Sequence, residues 1–312
     1  MVNQIFSCDW GTTSFRLRLI NVKDRAILAE TTAGKGIAAV FSDWVETGLP
    51  ENERMGFYKR IIQKHIDSLQ TGSLSNIPVI ISGMGSSSIG ITELPYGEIP
   101  FDFAVSHLPV KELSADNDCK HTMLLVSGLK STRDVMRGEE TILAGTSFKR
   151  EGEALFIFPG THSKHVLVKD NLLVDTNTYM TGELFDLLIS KSILSKSVKK
   201  NETGLINTSF AEGVKEAATG NLLNVLFHVR SNQLLGNISP EANYDYLSGL
   251  LLGEELKSLP ENRNKLYLVC SDWLADRYIL AIELICSGRE ITRIHADKAL
   301  MEAHCKLAKH FL

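Results

Sequence analysis

The sequence predicts an α/β protein made of two related halves. The chain has 312 residues, more than one hydrophobic core usually serves, so two domains are expected. Each half opens with an apolar strand, a turn rich in Gly and Thr, and a second strand. Short apolar runs typical of buried parallel strands alternate with helical periodicity in both halves. We place the domains at residues 1–133 and 134–312.

Composition and charge narrow the class of protein. The chain is 44% hydrophobic and 22% charged, as globular proteins are. A formal charge of -4 gives no electrostatic reason to expect nucleic acid or a membrane surface as a partner. No run approaches the roughly 18 apolar residues that span a bilayer. Five cysteines without a C-x-x-C pair indicate reduced thiols in a cytoplasmic protein. The oligomeric state is left open, a homodimer included.

The first half is predicted to be rich in strands. Period-two alternation and apolar runs predict strands at residues 4–8, 15–20, 26–32, 78–82 and 123–126. One apolar stripe predicts a helix over residues 54–69. The region from the end of the fourth strand to about residue 118 shows no regular pattern.

The second half repeats this opening and then becomes mainly helical. A helix is expected at 139–148, a strand at 154–158, and a hairpin of strands 164–168 and 172–176 around Asp170-Asn171. Helices dominate residues 181–259. The remaining elements are a strand at 266–270, a helix at 272–286, a strand at 291–295 and a helix at 297–311. This last helix is amphipathic and is expected to pack back on the first domain.

Two Gly-Thr turns, Asp9-Trp10-Gly11-Thr12-Thr13 and Gly160-Thr161-His162-Ser163-Lys164, stand at matching places in the two halves. Such a turn directs backbone N–H groups and hydroxyls into one concavity, which suits phosphate oxygens. Either turn alone is more often only a turn. Two together predict a clamp on a triphosphate across an interdomain cleft. The candidate phosphate-binding residues are Gly11, Thr12, Thr13, Gly160, Thr161 and Lys164.

Asp9 ends a buried strand, where a carboxylate needs a partner. A hydrated Mg²⁺ ion carried by ATP is a suitable one, because Mg²⁺ typically uses one or two protein carboxylates. Asp9 is therefore the candidate metal ligand.

Other nucleotide-binding motifs are not matched by the sequence. The chain has no P-loop, and the run Gly83-Met84-Gly85-Ser86-Ser87-Ser88 has a serine where a dinucleotide fingerprint needs its third glycine.

A polar cluster, Arg137-Gly138-Glu139-Glu140, precedes the second turn by about twenty residues. Acidic residues in the first turn of a helix are favoured by the helix dipole in any case. The position of the cluster ahead of the second turn favours a functional interpretation.

Together these residues resemble the actin-like ATPase and sugar kinase superfamily, which implies a duplicated, ribonuclease H-like two-domain fold with an interdomain cleft. Within it, the chain closely resembles the 2-dehydro-3-deoxygalactonokinase family from residue 5 to about residue 305. The shared stretches are Asp9–Thr13 with Arg16, Ser82–Ser86 with Pro95-Tyr96, Met136–Thr141, Pro159–Lys164, Met180–Leu184 and Ser248–Gly253.

The resemblance implies a reaction, in which the γ-phosphate of ATP passes to the 6-hydroxyl of 2-dehydro-3-deoxy-D-galactonate in galactonate catabolism, with Mg²⁺ as cofactor. Phosphoryl transfer needs positioning, neutralisation of charge and a base for the incoming hydroxyl. By its place in the family pattern, Glu139 is expected to be that base, with Glu140 as the alternative.

The resemblance also assigns candidate ligand contacts. Arg16 and Arg137 are candidates to bind the substrate carboxylate, with a structural salt bridge as the alternative for either. Gly85 and Ser86 are candidates for the sugar hydroxyls. Ser271 and Asp272 are expected to contact the nucleoside, although Cys270 replaces a glycine that is frequent at that turn.

Two other functions remain open from the sequence. The chain could be a kinase of another 2-keto-3-deoxy sugar acid, such as the gluconate epimer, because pocket shape sets the stereochemical preference. A sugar-sensing regulator on the same fold is the alternative from another class. Such regulators usually carry a helix-turn-helix domain, and here the first strand begins at about residue 4, which favours the enzyme.

Overall fold

The computed structural model describes residues 2–69, 74–148, 152–202, 206–259 and 265–312. The chain divides into two compact units. The first comprises Met1–Glu151, Lys169–Thr176 and Ala296–Leu312, and the second comprises Gly152–Val168 and Asn177–His295. The sequence predicts one break in the chain, between residues 133 and 134. Packing assigns residues 134–148, Lys169–Thr176 and the final helix to the first unit.

Strands and helices occur mostly in runs, and they alternate one by one only from β14 to the end of the chain. The strands are β1 (Gln4–Trp10), β2 (Phe15–Asn21), β3 (Ile27–Ala33), β4 (Val79–Gly83), β5 (Gly97–Glu98), β6 (Phe101–Asp102), β7 (Val110–Leu113), β8 (Met123–Val126), β9 (Leu129–Lys130), β10 (Val135–Met136), β11 (Glu153–Phe158), β12 (Ser163–Lys169), β13 (Leu172–Tyr179), β14 (Lys265–Cys270) and β15 (Ile291–His295). The helices are α1 (Ile37–Glu46), α2 (Arg54–Asp67), α3 (Glu139–Gly145), α4 (Thr181–Lys191), α5 (Thr208–Thr219), α6 (Leu222–Val225), α7 (His228–Leu234), α8 (Pro240–Leu256), α9 (Asp272–Ile285) and α10 (Ala296–Phe311).

The main sheet of the first unit has the order β3-β2-β1-β4-β8-β7. β1, β2 and β3 form an antiparallel meander, whereas β4 pairs parallel with both β1 and β8. Side chains alternate across it, as the two-residue period of a strand requires. Phe6, Cys8 and Trp10 pack on the face that carries α1 and α2, and Ile5 packs on the opposite face with α10.

The other six-stranded sheet has the order β15-β14-β11-β12-β13-β6. β14 pairs parallel with β11 and with β15. We number the strands of each sheet in chain order, leaving out the edge strand β7 and the two-residue strands. The order is then 3-2-1-4-5 in both sheets, read from β3 in the first and from β13 in the second. This shared order confirms the predicted α/β class and the duplication of one strand arrangement.

Close packing of α5 on α8 explains the glycines of the Ser248–Gly253 stretch. A Cβ atom on Gly249 would lie 2.1 Å from the backbone oxygen of Phe210, and one on Gly253 would lie 2.5 Å from that of Val214. A Cβ on Gly213 would meet the oxygen of Tyr246 at 2.2 Å. These glycines let the two helix backbones approach each other.

Most predicted elements are confirmed, with shifts of a few residues at their ends. The hairpin turns at Asp170 and Asn171, which both have positive φ (47° and 71°). The expected helix over 139–148 ends at Gly145. Helix α1 was missed, because its N-cap residue, Gly36, has no side chain to cap the helix and so gives no start signal. The region without regular pattern contains β5, β6 and β7. Residues 203–205 of the helical stretch lie outside the described residues.

In the part of the chain that the structure describes, no helix has the length and apolar character needed to cross a membrane.

Candidate active site

The first Gly-Thr turn connects β1 to β2 and is supported from one side by the start of α1. The backbone oxygen of Gly11 accepts a hydrogen bond from the Ile37 N–H group at 3.0 Å. A Cβ atom on Gly36 would lie 2.3 Å from the Thr12 oxygen, so only glycine allows this approach. Thr12 is half-buried and Thr13 is exposed. The start of α1 therefore covers one side of the turn, and Thr13 stays accessible.

Asp9 lies on β1, two residues before Gly11, and its pKa is shifted by four charged side chains, among them Arg16, Asp297 and Glu139. Burial raises the pKa of Asp9, the guanidinium of Arg16 lowers it, and the carboxylate of Asp297 raises it again. Glu139 also raises it. An ionised Asp9 is thus poorly solvated and gains from an additional cation. Among the described residues no group of three or more His, Cys, Asp or Glu side chains forms a metal site. Asp9 fits a cation that keeps most of its water ligands, as Mg²⁺ does.

Asp297 binds two arginines of β2. Its Oδ2 accepts hydrogen bonds from Arg16 Nη1 at 2.6 Å and from Arg18 Nη2 at 2.7 Å. The salt bridge considered as the alternative for Arg16 is therefore present, and the role of Arg16 in binding substrate stays a prediction. Sequence reasoning missed Asp297, whose available signal was only that of an acidic residue in the first turn of a helix.

Two glycines with positive φ bring the segment before α3 next to Asp9. Gly83 has φ 84° and Gly138 has φ 115°, conformations that other residues rarely adopt. A Cβ atom on Gly83 would lie 2.8 Å from the Trp10 oxygen and 3.7 Å from Asp9 Oδ1, and one on Gly138 would lie 3.4 Å from the Cα atom of Gly83. The two backbones touch without side chains between them, which places Glu139 within electrostatic reach of Asp9.

The two neighbouring glutamates differ in exposure and in partners. Glu140 is 1% exposed, and its carboxylate accepts hydrogen bonds from the Gly138 N–H group at 2.8 Å and from the Thr141 hydroxyl at 2.9 Å. Burial, with a contribution from Glu139, raises the pKa of Glu140 to about 7. Glu139 is half-buried, and its Oε2 accepts a hydrogen bond from the Arg137 N–H group at 3.1 Å. Of the two, only Glu139 is accessible to a ligand.

Arg137 is held by neutral groups. Its Nη1 donates to the backbone oxygen of Ser86 at 2.7 Å and to the hydroxyl of the same residue at 2.5 Å. The guanidinium lies over the ring of Tyr96, 4.1 Å from its centroid, a favourable cation–π contact. The structure thus brings together Arg137, Ser86 and Tyr96, which are far apart in the sequence.

Gly85 and Ser86 are both buried. A Cβ atom on Gly85 would lie 3.0 Å from the side chain of Ile81, so this glycine packs against the core. Ser86 is fully buried and bonded to Arg137. Their predicted contacts with sugar hydroxyls stay predictions, and the structure gives Ser86 a direct part in orienting Arg137.

The second Gly-Thr turn lies against the start of α4. The backbone oxygen of Thr161 accepts a hydrogen bond from the Glu183 N–H group at 2.9 Å. A Cβ atom on Gly182 would lie 2.5 Å from the Gly160 oxygen, which makes Gly182 a residue of close approach. Gly160 is exposed, whereas Lys164 is buried and its Nζ donates only to the His162 oxygen at 3.4 Å among the contacts described.

A cavity of about 640 Å³ opens beside this turn within the second unit. Its volume is typical of a site for a small molecule or a nucleotide. Its walls come from the second turn, α4, α8 and α9, and include Gly160, Thr161, Gly182, Tyr244, Leu274 and Arg277. Lys164 is not among its described lining residues, so a phosphate contact of this lysine stays a prediction.

The predicted nucleoside contacts, Ser271 and Asp272, lie at the start of α9, ahead of the residues of that helix that line the cavity. Helix α9 lines the cavity through Leu274, Arg277 and Tyr278, whereas Ser271 and Asp272 are not among the described lining residues. Asp272 is exposed and accepts a hydrogen bond from an arginine of β15. Arg277 donates to Asp245 at 2.7 Å, and its Nη1 is buried without a partner among the described residues. The contact of Ser271 and Asp272 with a nucleoside stays a prediction.

Comparison with known proteins gives consistent matches along the chain. The family model of 2-keto-3-deoxy-galactonokinase matches residues 9–307. A protein of Rhizobium meliloti (strain 1021) named "Probable 2-dehydro-3-deoxygalactonokinase DgoK1" is 31% identical over 300 residues, which cover 94% of this chain and 92% of the relative. The 2-dehydro-3-deoxygalactonokinase of Escherichia coli (strain K12) is 28% identical over 313 residues, covering 96% of this chain and 95% of the relative.

A solved structure agrees with these matches. A crystal structure of a Sinorhizobium meliloti protein assigned to 2-dehydro-3-deoxygalactonokinase superposes with a TM-score of 0.83 at 29% identity, covering 98% of this chain and 96% of the other. The matches run through the first turn, the Glu139 segment and the second turn. This chain therefore belongs to the 2-keto-3-deoxy-galactonokinase family, a family of kinases with the duplicated α/β fold predicted from the sequence.

Proposed function

We propose that this protein transfers the γ-phosphate of ATP to the 6-hydroxyl of 2-dehydro-3-deoxy-D-galactonate, as a cytoplasmic enzyme of galactonate catabolism. The observation that carries the proposal is the junction at Gly83 and Gly138, where an accessible carboxylate, Glu139, lies within electrostatic reach of Asp9. A base next to a candidate metal ligand is what phosphoryl transfer to a hydroxyl requires. The family names the acceptor.

The cavity of the second unit is the proposed site for the nucleoside of ATP. Its position beside Gly160 and Thr161 supports this, because a nucleoside there would direct its phosphates toward the second turn. The buried Nη1 of Arg277 has no hydrogen-bond acceptor among the described residues and suits a polar atom of the ribose or base. The first turn, through Thr12 and Thr13, is proposed as the other phosphate grip.

Asp9 would hold the Mg²⁺ ion that accompanies ATP. When bound, this ion neutralises charge on the phosphate oxygens. The raised pKa of Asp9 supports the assignment, because an ionised carboxylate in that environment gains from a nearby cation.

Glu139 is proposed as the base. The 6-hydroxyl oxygen attacks the γ-phosphorus, the bond to the β,γ-bridging oxygen breaks, ADP leaves, and the hydroxyl proton passes to the Glu139 carboxylate. Glu140 is less suited to this step because it is buried and already bonded to Gly138 and Thr141. We assign it the role of holding the first turn of α3 in place.

Arg137 is the proposed partner of the substrate carboxylate. The groups that hold its guanidinium, Ser86 and Tyr96, are neutral, so its positive charge is left for an anionic ligand. Arg16, by contrast, already faces the carboxylate of Asp297.

An ADP-release assay tests the proposal. The purified chain, ATP and Mg²⁺ are supplied with 2-dehydro-3-deoxy-D-galactonate, its gluconate epimer or no acceptor. We expect acceptor-dependent ADP release, faster with the galactonate epimer. Faster release with the gluconate epimer would favour the other sugar acid kinase. If sugar acids bind but no 2-keto-3-deoxy sugar acid stimulates ADP release, the proposal is contradicted and a sensing role is favoured.

A further inference from the structure

A buried carboxylate stands behind the cavity of the second unit, on α8. Glu255 is 2% exposed. Its Oε1 accepts a hydrogen bond from the Ser163 hydroxyl at 2.7 Å and lies 3.1 Å from His165 Nε2. The hydroxyls of Tyr278, at 3.1 Å, and of Thr181 donate to its Oε2. In the described part of the chain no lysine or arginine forms an ion pair with it.

These partners belong to three different elements around the cavity. Ser163, in the second turn, is the first residue of β12, and His165 follows on the same strand. Thr181 begins α4, which packs against that turn. Tyr278 lies on α9. Thr181 and Tyr278 also line the cavity. One carboxylate therefore connects the second turn, α4 and α9 from behind, without reaching the cavity itself.

Burying a carboxylate is unfavourable unless its oxygens are satisfied by donors, and apolar residues of similar volume often serve a core equally well. The arrangement at Glu255 instead orders four side chains at the edge of one cavity. We propose that Glu255 is a positioning residue for nucleotide binding, acting through Thr181 and Ser163 on the second turn. This inference rests on the proposal that the cavity takes the nucleotide.

The effect of Glu255→Gln follows from hydrogen-bond chemistry. The glutamine keeps the size of the side chain and one acceptor, but replaces the other acceptor with an NH₂ donor. If the NH₂ group replaces Oε2, the Thr181 and Tyr278 hydroxyls must reverse or lose their hydrogen bonds. If it replaces Oε1, the Ser163 hydroxyl must do so. Loss of one well-formed hydrogen bond changes a binding constant by about tenfold.

The experiment measures the Kd of ADP by titration calorimetry, together with the KM values for ATP and for the sugar acid. For Glu255→Gln we expect the Kd of ADP and the KM for ATP to rise about tenfold, while the KM for the sugar acid changes less than about twofold. A purely structural role would lower the melting temperature and leave the three constants of the folded protein unchanged.

The matched control is Glu216→Gln. Glu216 also binds a tyrosine and a histidine, Tyr246 and His228, in the same unit, and none of the three is a described lining residue of the cavity. We expect this variant to bind ADP as the parent does. ADP binding by Glu255→Gln within about twofold of the parent, or equal weakening by Glu216→Gln, would overturn the inference.

Thr181→Val and Thr181→Ser keep the inference testable if Glu255→Gln does not fold. Valine removes the hydroxyl and should weaken ADP binding, whereas serine should restore it. In the double variant the effects of Glu255→Gln and Thr181→Val should be less than additive, because both remove the same link. Full additivity would contradict it. ADP binding does not depend on the sugar acid, so absence of turnover with normal ADP binding would reject the acceptor and leave the role of Glu255 standing.

Discussion

The buried carboxyl of Glu140 makes the stability of the first unit depend on pH, and Glu140→Gln should remove that dependence. The pKa of this group is raised from 4.5 to about 7 in the folded chain, a difference of about 2.5 pH units. At about 1.4 kcal/mol per unit, the folded state loses about 3 kcal/mol as Glu140 ionises. The folded chain holds this proton more tightly than the unfolded chain, so stability falls as pH rises from about 4.5 to 7.

The glutamine variant is neutral throughout this range, and its Oε1 can still accept the hydrogen bonds from Gly138 and Thr141. The free energy of unfolding of the parent minus that of the variant should therefore decrease by about 2 to 3 kcal/mol between pH 5 and pH 8. Subtracting the value of Glu140→Gln from that of the parent at each pH cancels the titration of other groups, such as the buried His304, whose pKa is lowered to about 3.

The assay is urea unfolding followed by tryptophan fluorescence, because Trp10 and Trp44 both lie in the first unit. Glu139→Gln is the matched control. It leaves Glu140 in place but removes a negative charge that contributes to its raised pKa, so the fall in stability with rising pH should be smaller and should end at a lower pH. Unfolding free energies of parent and Glu140→Gln that run parallel from pH 5 to pH 8 would refute the reasoning.

Three further predictions concern activity and packing. Glu139→Gln should lower kcat by about a hundredfold or more if Glu139 is the base; near-normal turnover in the ADP-release assay would move that role elsewhere. Asp9→Asn should raise the Mg²⁺ concentration for half-maximal rate by about tenfold or more, measured by Mg²⁺ titration at fixed ATP, and an unchanged requirement would exclude Asp9 as the ligand. Gly249→Ala should destabilise the second unit by about 2 kcal/mol or more, because its Cβ would meet the Phe210 oxygen at 2.1 Å. Gly34→Ala, with nothing within 4 Å, is the control, and equal melting temperatures for the two would contradict the packing account.

The two turns illustrate how one local pattern is used twice. Each carries Gly and Thr between two strands, and in each a glycine from another segment approaches the turn backbone. Gly36 does so at the first turn and Gly182 at the second. Each of these glycines lies more than twenty residues from the turn residue whose oxygen it approaches most closely, so only the folded chain pairs them.

The strands of the two six-stranded sheets, apart from β6 and β7, were predictable because each is a local pattern. Alternation and apolar runs depend on neighbouring residues, and β8 and β15 have the predicted limits. The hairpin at Asp170-Asn171 followed from residues that tolerate positive φ. Helix α1 was missed because its start depends on hydrogen bonds to the turn at Gly11, which no local pattern reports.

The sequence by itself determined the α/β class, the duplication, the two Gly-Thr turns and the Glu139-Glu140 pair, because each is written in adjacent residues and shared with a family. The tertiary structure decided which glutamate is accessible, since burial of Glu140 depends on what packs over α3. It also showed that Arg16 faces Asp297 across about 280 residues of chain, and that Arg137 rests on Ser86 and Tyr96. Charge pairing and burial arise between residues distant in sequence, and for that reason only the folded chain defines them.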